Sequence, residues 1–174
     1  MNNDEILAAV TALHQEIDEL VAPLVERHLP RLQCGRGCAE CCQDDLTVLE
    51  VEAARLRECV GDALRGAVPH PTGGCAFLAA DGACRGYAAR PFVCRTQGLP
   101  LRWLEDDGVE YRDICRLNAE GEDLADLTAD ECWTLGPFEQ RLASLQLAAQ
   151  ASAGFAPPRR VALRAVFAEL ASEA

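Results

Sequence analysis

Apolar residues recur along the first thirty positions with the spacing of one face of an α-helix. The stripe predicts an amphipathic helix over residues 4–29, packed by default inside the subunit. Pro23 falls inside this pattern and is expected to bend or break the helix, whereas Pro30 closes it. The apolar positions, which alternate in steps of four and three, are Ile6, Val10, Leu13, Ile17, Leu20 and Leu24.

Three further helices are predicted. One begins at Thr47, because Thr47 and Glu50 have the spacing of a capping box, and Gly66 suits its end. Pro137 suits the start of another, and the prolines at 157–158 separate a final helix. The inward positions of these helices are Leu49, Leu56, Val60 and Leu64, then Phe138, Leu142 and Leu145, then Leu163, Val166, Phe167 and Leu170.

Two short hairpins are predicted between the helices. The first spans residues 75–85 and turns at Asp81-Gly82, a dipeptide typical of tight turns. The second joins residues 101–105 to residues 109–113, which contain aromatic and β-branched residues suited to strands. An Arg-Pro pair between the two hairpins opens a short helix.

The order of these elements predicts a mainly α protein, with helices around a cysteine-rich loop region and one or two small β-hairpins. We expect one domain over residues 1–174, because no internal repeat and no boundary interrupts the chain. Its cysteine-cluster core would cover residues 31–118, with helical flanks at 4–29 and 137–172.

Composition and charge narrow the classes of partner. The chain has 174 residues, of which 49% are hydrophobic and 25% charged, and its formal net charge is −12. Such a surface repels nucleic-acid phosphates and anionic lipid head groups, so we expect neither nucleic acid nor membrane as a partner. No stretch approaches the roughly 20 apolar residues that span a bilayer. No basic segment precedes an apolar one near the N-terminus, and we therefore expect a cytoplasmic protein.

Cysteine is the most unusual part of the composition. A disulfide framework is one interpretation of an even number of cysteines, but disulfides need an oxidising compartment and serve mostly domains too small to build a core. Neither condition is indicated here, so metal binding by thiolates is favoured. The ten cysteines are Cys34, Cys38, Cys41, Cys42, Cys59, Cys75, Cys84, Cys94, Cys115 and Cys132.

The first four cysteines, Cys34, Cys38, Cys41 and Cys42, stand within nine residues. Two glycines among them favour a loop that can turn several sulfurs toward one point. A structural zinc ion takes four such ligands, and an iron–sulfur cluster usually takes four cysteines as well. Because adjacent side chains point in different directions, two ions, one cluster, or a ligand beside a packed thiol all remain open.

Cysteines later in the chain must complete this metal site. Cys75 and Cys84 lie on the two arms of the first hairpin, and Cys94 follows ten residues after Cys84. Cys115 ends the second hairpin and brings the total to eight, enough for two sites of four thiolates each.

Two cysteines and three histidines are assigned to packing or to the surface. Cys59 is expected on the buried face of a helix, where a free thiol behaves as a small hydrophobe, and Cys132 has no spacing partner. His14, His28 and His70 include no pair with the i, i+4 spacing of a metal site, so we expect surface or boundary histidines. The ligand set is therefore expected to be thiolate alone.

Arg90 and Arg95 flank Cys94 and are the candidate cofactor-binding residues outside the cysteines. We expect them to donate hydrogen bonds to thiolates or to screen their charge, because clustered thiolates repel each other. A positive charge at Arg95 could also activate a cysteine nucleophile. That alternative is disfavoured, since no cysteine stands out with a histidine partner.

The joint spacing of these residues resembles the YkgJ-type cysteine-cluster family, described as a zinc- or iron-chelating domain. The resemblance covers residues 34–117, and one branch of the family adds Cys115, which is thereby implied as a ligand. A related cluster occurs in flagellin lysine methylases, where it is associated with an iron–sulfur centre, but this chain is much shorter and that activity is not carried over. The residues that carry the resemblance are Cys34-x3-Cys38-x2-Cys41-Cys42, Cys75-x-Phe77-Leu78-x2-Asp81-Gly82-x-Cys84, Tyr87-x2-Arg90-Pro91-x2-Cys94-Arg95 and Cys115-x-Leu117-Asn118.

Three functions are compatible with the sequence. The first is a metal-binding protein whose fold is organised by zinc or iron. The second is an iron–sulfur protein that acts in redox chemistry or as an accessory to an enzyme. The third is a metal carrier or interaction module with a protein client. An enzyme with an open metal site is least favoured, because no acid or base is identifiable near the cysteines.

Overall fold

Five α-helices, five short strands and three single-turn 3-10 helices make up the regular structure in residues 1–151 and 156–172, the part of the chain that the computed structural model describes. The prediction of a mainly α fold with small β elements is confirmed. The helices are α1 (Asn3–His28), α2 (Glu50–Leu64), α3 (Phe92–Thr96), α4 (Gly136–Ala149) and α5 (Leu163–Ser172). The strands are β1 (Thr47–Leu49), β2 (Leu101–Leu104), β3 (Glu110–Asp113), β4 (Trp133–Thr134) and β5 (Arg160–Ala162).

Helix α1 forms as predicted at its N-terminus but continues through Pro23, so the expected break is wrong. Asn2 caps the helix by accepting a hydrogen bond from the Glu5 amide, and the Glu5 carboxylate accepts one in return. A proline inside a helix removes one backbone hydrogen bond, and buried side chains on both sides, including Val21 and His28, hold the helix together across it. Leu20, expected in the apolar stripe, is exposed instead.

Helix α2 begins three residues later than predicted. Thr47 belongs to β1, which pairs antiparallel with β5 so that Thr47 lies opposite Ala162. The helix starts at Glu50, and the Glu52 carboxylate accepts a hydrogen bond from the Leu49 amide. The capping role assigned to Thr47 was therefore wrong, because a strand far along the chain competes for the same segment.

The second predicted hairpin is confirmed as β2 paired with β3, with Trp103 opposite Tyr111. A third strand, β4, joins this sheet parallel to β2 and gives the order β3-β2-β4. The first predicted hairpin is reduced to a single bridge between Leu78 and Cys84. The short helix after Arg90-Pro91 is confirmed as α3.

Two apolar clusters form the core. The first joins α2, α5 and residues 75–78, and the cysteines Cys42 and Cys84 pack against it. The second joins α1, α3, α4 and the three-stranded sheet. None of the helices in the described residues is both long and apolar enough to cross a membrane.

The expectation of surface or boundary histidines is wrong for two of the three. His14 is wholly buried and His28 nearly so. His14 lies between the Glu52 carboxylate, 3.1 Å from Nε2, and the Arg55 guanidinium, 3.0 Å from Nδ1. His28 Nε2 lies 2.7 Å from the carbonyl oxygen of Glu131. Polar partners within the fold therefore compensate the burial of both rings.

Candidate metal centre

The segment that carries the first four cysteines is irregular, as its glycines predict. Two tight turns shape it: the Cys38 amide donates to the Gly35 carbonyl at 3.0 Å, and the Cys42 amide donates to the Ala39 carbonyl at 2.9 Å. We call residues 34–42 the cysteine loop. Consecutive turns of this kind bring side chains that are close in sequence to different sides of one small region.

The cysteine loop is fastened to the segment that contains Cys75 and Cys84. The Cys75 amide donates a hydrogen bond to the Cys42 carbonyl at 2.8 Å. At the other end of this contact, a Cβ atom added to Gly82 would lie only 2.9 Å from the carbonyl oxygen of Gly37. The two backbones thus approach more closely than a side chain at position 82 would allow, which explains the glycine there.

Asn118 fastens the start of the cysteine loop to the segment after β3. Its side chain is wholly buried and its Nδ2 donates to the Cys34 sulfur at 3.3 Å and to the Gly98 carbonyl at 2.8 Å. Its Oδ1 accepts from the Gln33 amide at 2.7 Å. An ion pair between Arg116 and Glu40 adds a second link between the same two segments.

One group of thiols lies around Cys94. Burial, together with the negative charge that Cys75, Cys84 and Cys41 would carry as thiolates, raises the pKa of Cys94 to about 12. The pKa of Cys42 is raised by the adjacent Cys41 thiol and by burial, and further by Cys75 and Cys94. These four partners of Cys94 come from two separate segments, the cysteine loop and the segment that contains Cys75 and Cys84.

A second group lies around Cys34. Cys34 is exposed as a whole residue, but partial burial of its sulfur raises its pKa. The hydrogen bond from Asn118 opposes this shift, and the charges of Cys38, Cys115 and Cys41 add to it. Cys41 therefore neighbours both groups, and interaction with the Cys42 thiol lowers its pKa. By these charge interactions, the eight cysteines expected to bind metal sort into two groups, one of Cys34, Cys38, Cys41 and Cys115 and one of Cys42, Cys75, Cys84 and Cys94.

Backbone amides also face two of the sulfurs. Burial raises the pKa of Cys75 and of Cys84, whereas a hydrogen bond from the amide of Phe77 and of Gly86, respectively, lowers each value. In both cases the donor lies two residues after the cysteine. Amide donors to sulfur stabilise a thiolate and are typical of the surroundings of metal-bound cysteines.

All ten cysteines are free thiols, which argues against the disulfide framework. As the side chains stand, no three His, Cys, Asp or Glu residues in ranges 1–151 and 156–172 are arranged to hold a metal ion. The thiols therefore interact with each other, but their sulfur atoms are not arranged around a common metal position. Ligation would require them to lose their protons, because thiolates are the form that binds metal.

The remaining cysteines differ from expectation in one case. Cys132 is buried, as predicted for a packed thiol, but Cys59 is exposed, so its assignment to the buried face of α2 was wrong. The buried face of this helix is formed by residues on either side of Leu56, and Cys59 lies outside it.

Arg90 and Arg95 do not donate hydrogen bonds to any cysteine sulfur among the described residues. Both donate to the Asp18 carboxylate instead, Arg90 at 3.0 Å and Arg95 at 2.5 Å. The expected hydrogen bonds to thiolates are therefore wrong, because an acidic residue on α1 is the stronger acceptor. Arg90 still acts on one thiol through its charge. It lowers the pKa of Cys84, although burial raises that pKa by more.

Asn118 is the functional residue that reasoning from charge and cysteine spacing missed. It appeared only within the family resemblance, without a role. An asparagine three residues after Cys115 carries no signal of its own, because its contact with Cys34 joins residues 84 positions apart.

Comparison with known families gives one finding. Residues 33–132 match the model of the CxxCxxCC family, whose description is "Putative zinc- or iron-chelating domain". The matched range contains the cysteine loop and every other cysteine discussed above. Neither the curated proteins nor the solved structures gave a match.

Proposed function

The chain belongs to the CxxCxxCC family of zinc- or iron-chelating domains, and from this premise we propose that it holds zinc or iron through two neighbouring groups of cysteine thiolates. One group would be Cys42, Cys75, Cys84 and Cys94, and the other Cys34, Cys38, Cys41 and Cys115. An iron–sulfur cluster uses the same ligand type and is an alternative occupant of either group.

The donor set of the fold suits such an ion. Charge interactions link thiols from four separate segments, none of these thiols is oxidised, and amide groups donate to Cys34, Cys75 and Cys84. Soft thiolate ligands select zinc and iron over hard cations such as magnesium. This gathering of unoxidised thiols is the single observation that carries the proposal.

The role that fits these surroundings is structural. The region between α2 and β2 contains little regular structure apart from short turns and α3. A structural zinc ion supplies an apparent binding energy of about 10–16 kcal/mol at neutral pH. That is comparable to the roughly 5–15 kcal/mol stability of a whole domain. The ion would therefore fix the loops that the apolar clusters leave without support.

Elemental analysis of anaerobically purified protein, combined with a visible absorption spectrum, tests the proposal. We expect zinc or iron in stoichiometric amount, and a brown protein only if the occupant is an iron–sulfur cluster. Zinc in an aerobic preparation alone would not decide between the two, because zinc replaces lost iron at thiolates. Cys94→Ser should lose metal, whereas Cys59→Ser should keep it, since Cys59 is exposed and stands apart from both groups. A folded protein that contains no metal and in which the eight proposed ligands are reactive thiols would overturn the proposal.

A further inference from the structure

A cleft of about 460 Å³ opens beside the cysteine loop. Its lining includes Glu40, Cys42 and Gln43 from one segment of the chain, and His70, Thr72 and Ala80 from the segment that follows α2. Cys42 is partly exposed here, whereas its neighbour Cys75 is buried. A solute that approaches the thiols from this side therefore meets Cys42 first.

The imidazole of His70 is held in one tautomer within this cleft. Its Nδ1 lies 3.1 Å from the Pro71 carbonyl oxygen, and because a carbonyl can only accept, Nδ1 must carry the proton. The lone pair of the neutral ring is then on Nε2. The ring also lies directly against Gly74, where an added Cβ would come within 2.8 Å of Nδ1.

The loop that presents His70 is fixed by Arg164. The guanidinium donates to the carbonyl oxygens of His70 at 3.1 Å, Pro71 at 3.3 Å and Gly74 at 2.9 Å. It also pairs with Asp44, whose other carboxylate oxygen accepts from the Gly73 amide at 3.2 Å. The position of the imidazole is therefore set by the fold.

We infer that this cleft is where a metal ion reaches and leaves the cysteine centre, with His70 as a transient ligand that passes the ion to Cys42. The inference rests on the proposed function and extends it to the exchange of the ion. A histidine that binds metal typically donates its other ring N–H to a backbone carbonyl, which is the arrangement of His70 and Pro71. Two protein ligands suffice for a transient site, because water and an incoming chelator complete the coordination of zinc.

The transfer is a ligand exchange without a redox step. The ion binds the Nε2 lone pair, the Cys42 thiol releases its proton to solvent, and the resulting thiolate replaces the imidazole on the ion. The imidazole keeps its Nδ1 proton throughout, so the hydrogen bond to Pro71 stays intact.

Zinc exchange kinetics test the inference. Full-length protein loaded with zinc is mixed with an excess of a chromogenic chelator, and zinc release is followed by absorbance. His70→Asn keeps a donor for the Pro71 carbonyl but removes the imidazole ligand, and we expect release and reloading to slow on the order of tenfold. Ala80→Trp should fill the cleft and slow both rates while His70 is intact. Ala8→Trp, on the exposed face of α1, should leave them unchanged.

The outcomes separate the inference from the function on which it rests. Suppose that both His70→Asn and Ala80→Trp have normal zinc content and unchanged exchange rates. This result would overturn the role of the cleft in metal exchange, but it would not contradict metal binding by the cysteines. If His70→Asn fails to fold, the exchange rate of Ala80→Trp alone tests the inference, because this substitution changes no metal ligand. Absence of bound zinc or iron in the wild-type protein would overturn both.

Discussion

The side-chain amide of Asn118 donates a hydrogen bond to the sulfur of Cys34, with 3.3 Å between Nδ2 and Sγ. The same amide group binds the Gly98 carbonyl, and its oxygen accepts from the Gln33 amide. One buried side chain thus links the cysteine loop to the segments on both sides of the second hairpin.

Asn118→Ala should therefore weaken both the fold and the metal site. Three hydrogen bonds of this buried side chain are lost, one fully and two partly buried, at about 1 kcal/mol each, so the free energy of unfolding should fall by roughly 2–4 kcal/mol. Zinc affinity should fall about 10–100-fold, the usual effect of losing a partner of a metal ligand. Urea denaturation and competition with a chelator measure the two effects. Asn3→Ala, at an exposed position, is the control, and an equally small effect of both substitutions would refute this role.

A substitution at Gly98 tests more directly whether Cys34 binds the metal. Gly98 and Gly108 both have positive φ, at 95° and 82°, but only an added Cβ at Gly98 would meet the Cys34 sulfur, at 2.5 Å. Alanine at either position should cost about 1–2 kcal/mol of backbone strain. Only Gly98→Ala should also displace Cys34 and lower the metal content. Equal metal content in the two variants would show that Cys34 is not a ligand.

The N-terminal helix shows how much of the fold the sequence could predict. The step pattern located α1 correctly, since a long apolar stripe has few alternatives. It could not decide that Leu20 faces solvent while Val21 is buried, because that choice depends on where α2 and α3 pack. Thr47 was misassigned for a similar reason, since its partner strand follows more than a hundred residues later.

The candidate metal site, like the fold, could be predicted from the sequence only in part. Short spacing within the cysteine loop predicted the first four ligands, and the need for four thiolates per ion, together with the hairpin positions, predicted Cys75, Cys84, Cys94 and Cys115. The family resemblance strengthened the prediction for Cys115. The roles of Arg95, Asn118 and His70 depend on contacts with residues far along the chain or on loop conformation, which no local pattern encodes. Cys59 shows that a local pattern can also mislead. Its helical spacing from Leu56 predicted a buried thiol, but the residue is exposed.

The buried histidine of α1 should make stability depend on pH. Burial lowers the pKa of His14 below its ordinary value of 6.5, although the Glu52 carboxylate opposes the shift. Below pH 6.5 the unfolded chain binds a proton that the folded chain does not, so stability should fall as pH decreases. A single such proton contributes at most about 1.4 kcal/mol per pH unit.

Urea denaturation of the zinc-loaded protein between pH 7.5 and pH 5 measures this effect. His14→Gln should show a shallower loss of stability over that range than the wild-type protein, and Gln15→Ala, at an exposed position next to His14 on α1, should retain the full slope. Acid release of the metal is common to all three proteins and cancels in the comparison. Identical slopes for His14→Gln and the wild-type protein would contradict the assignment.

Removal of the metal should loosen the fold locally before it unfolds globally. Residues 31–46 and 67–90 contain few regular elements, so their amides should lose protection once a chelator removes the ion. Helices α1 and α4 pack through the second apolar cluster and should keep theirs. Hydrogen exchange read by mass spectrometry compares the two regions in one experiment. Uniform protection before and after chelation would mean that no ion supports the loops.

X-ray absorption at the metal edge of anaerobically purified protein tests the central claim most directly. We expect a first shell of about four sulfur atoms per ion, at about 2.3 Å if the metal is zinc. Cys94→Ser should lower that sulfur count or the metal content, and Cys59→Ser should change neither. A first shell of oxygen and nitrogen without sulfur would contradict the account.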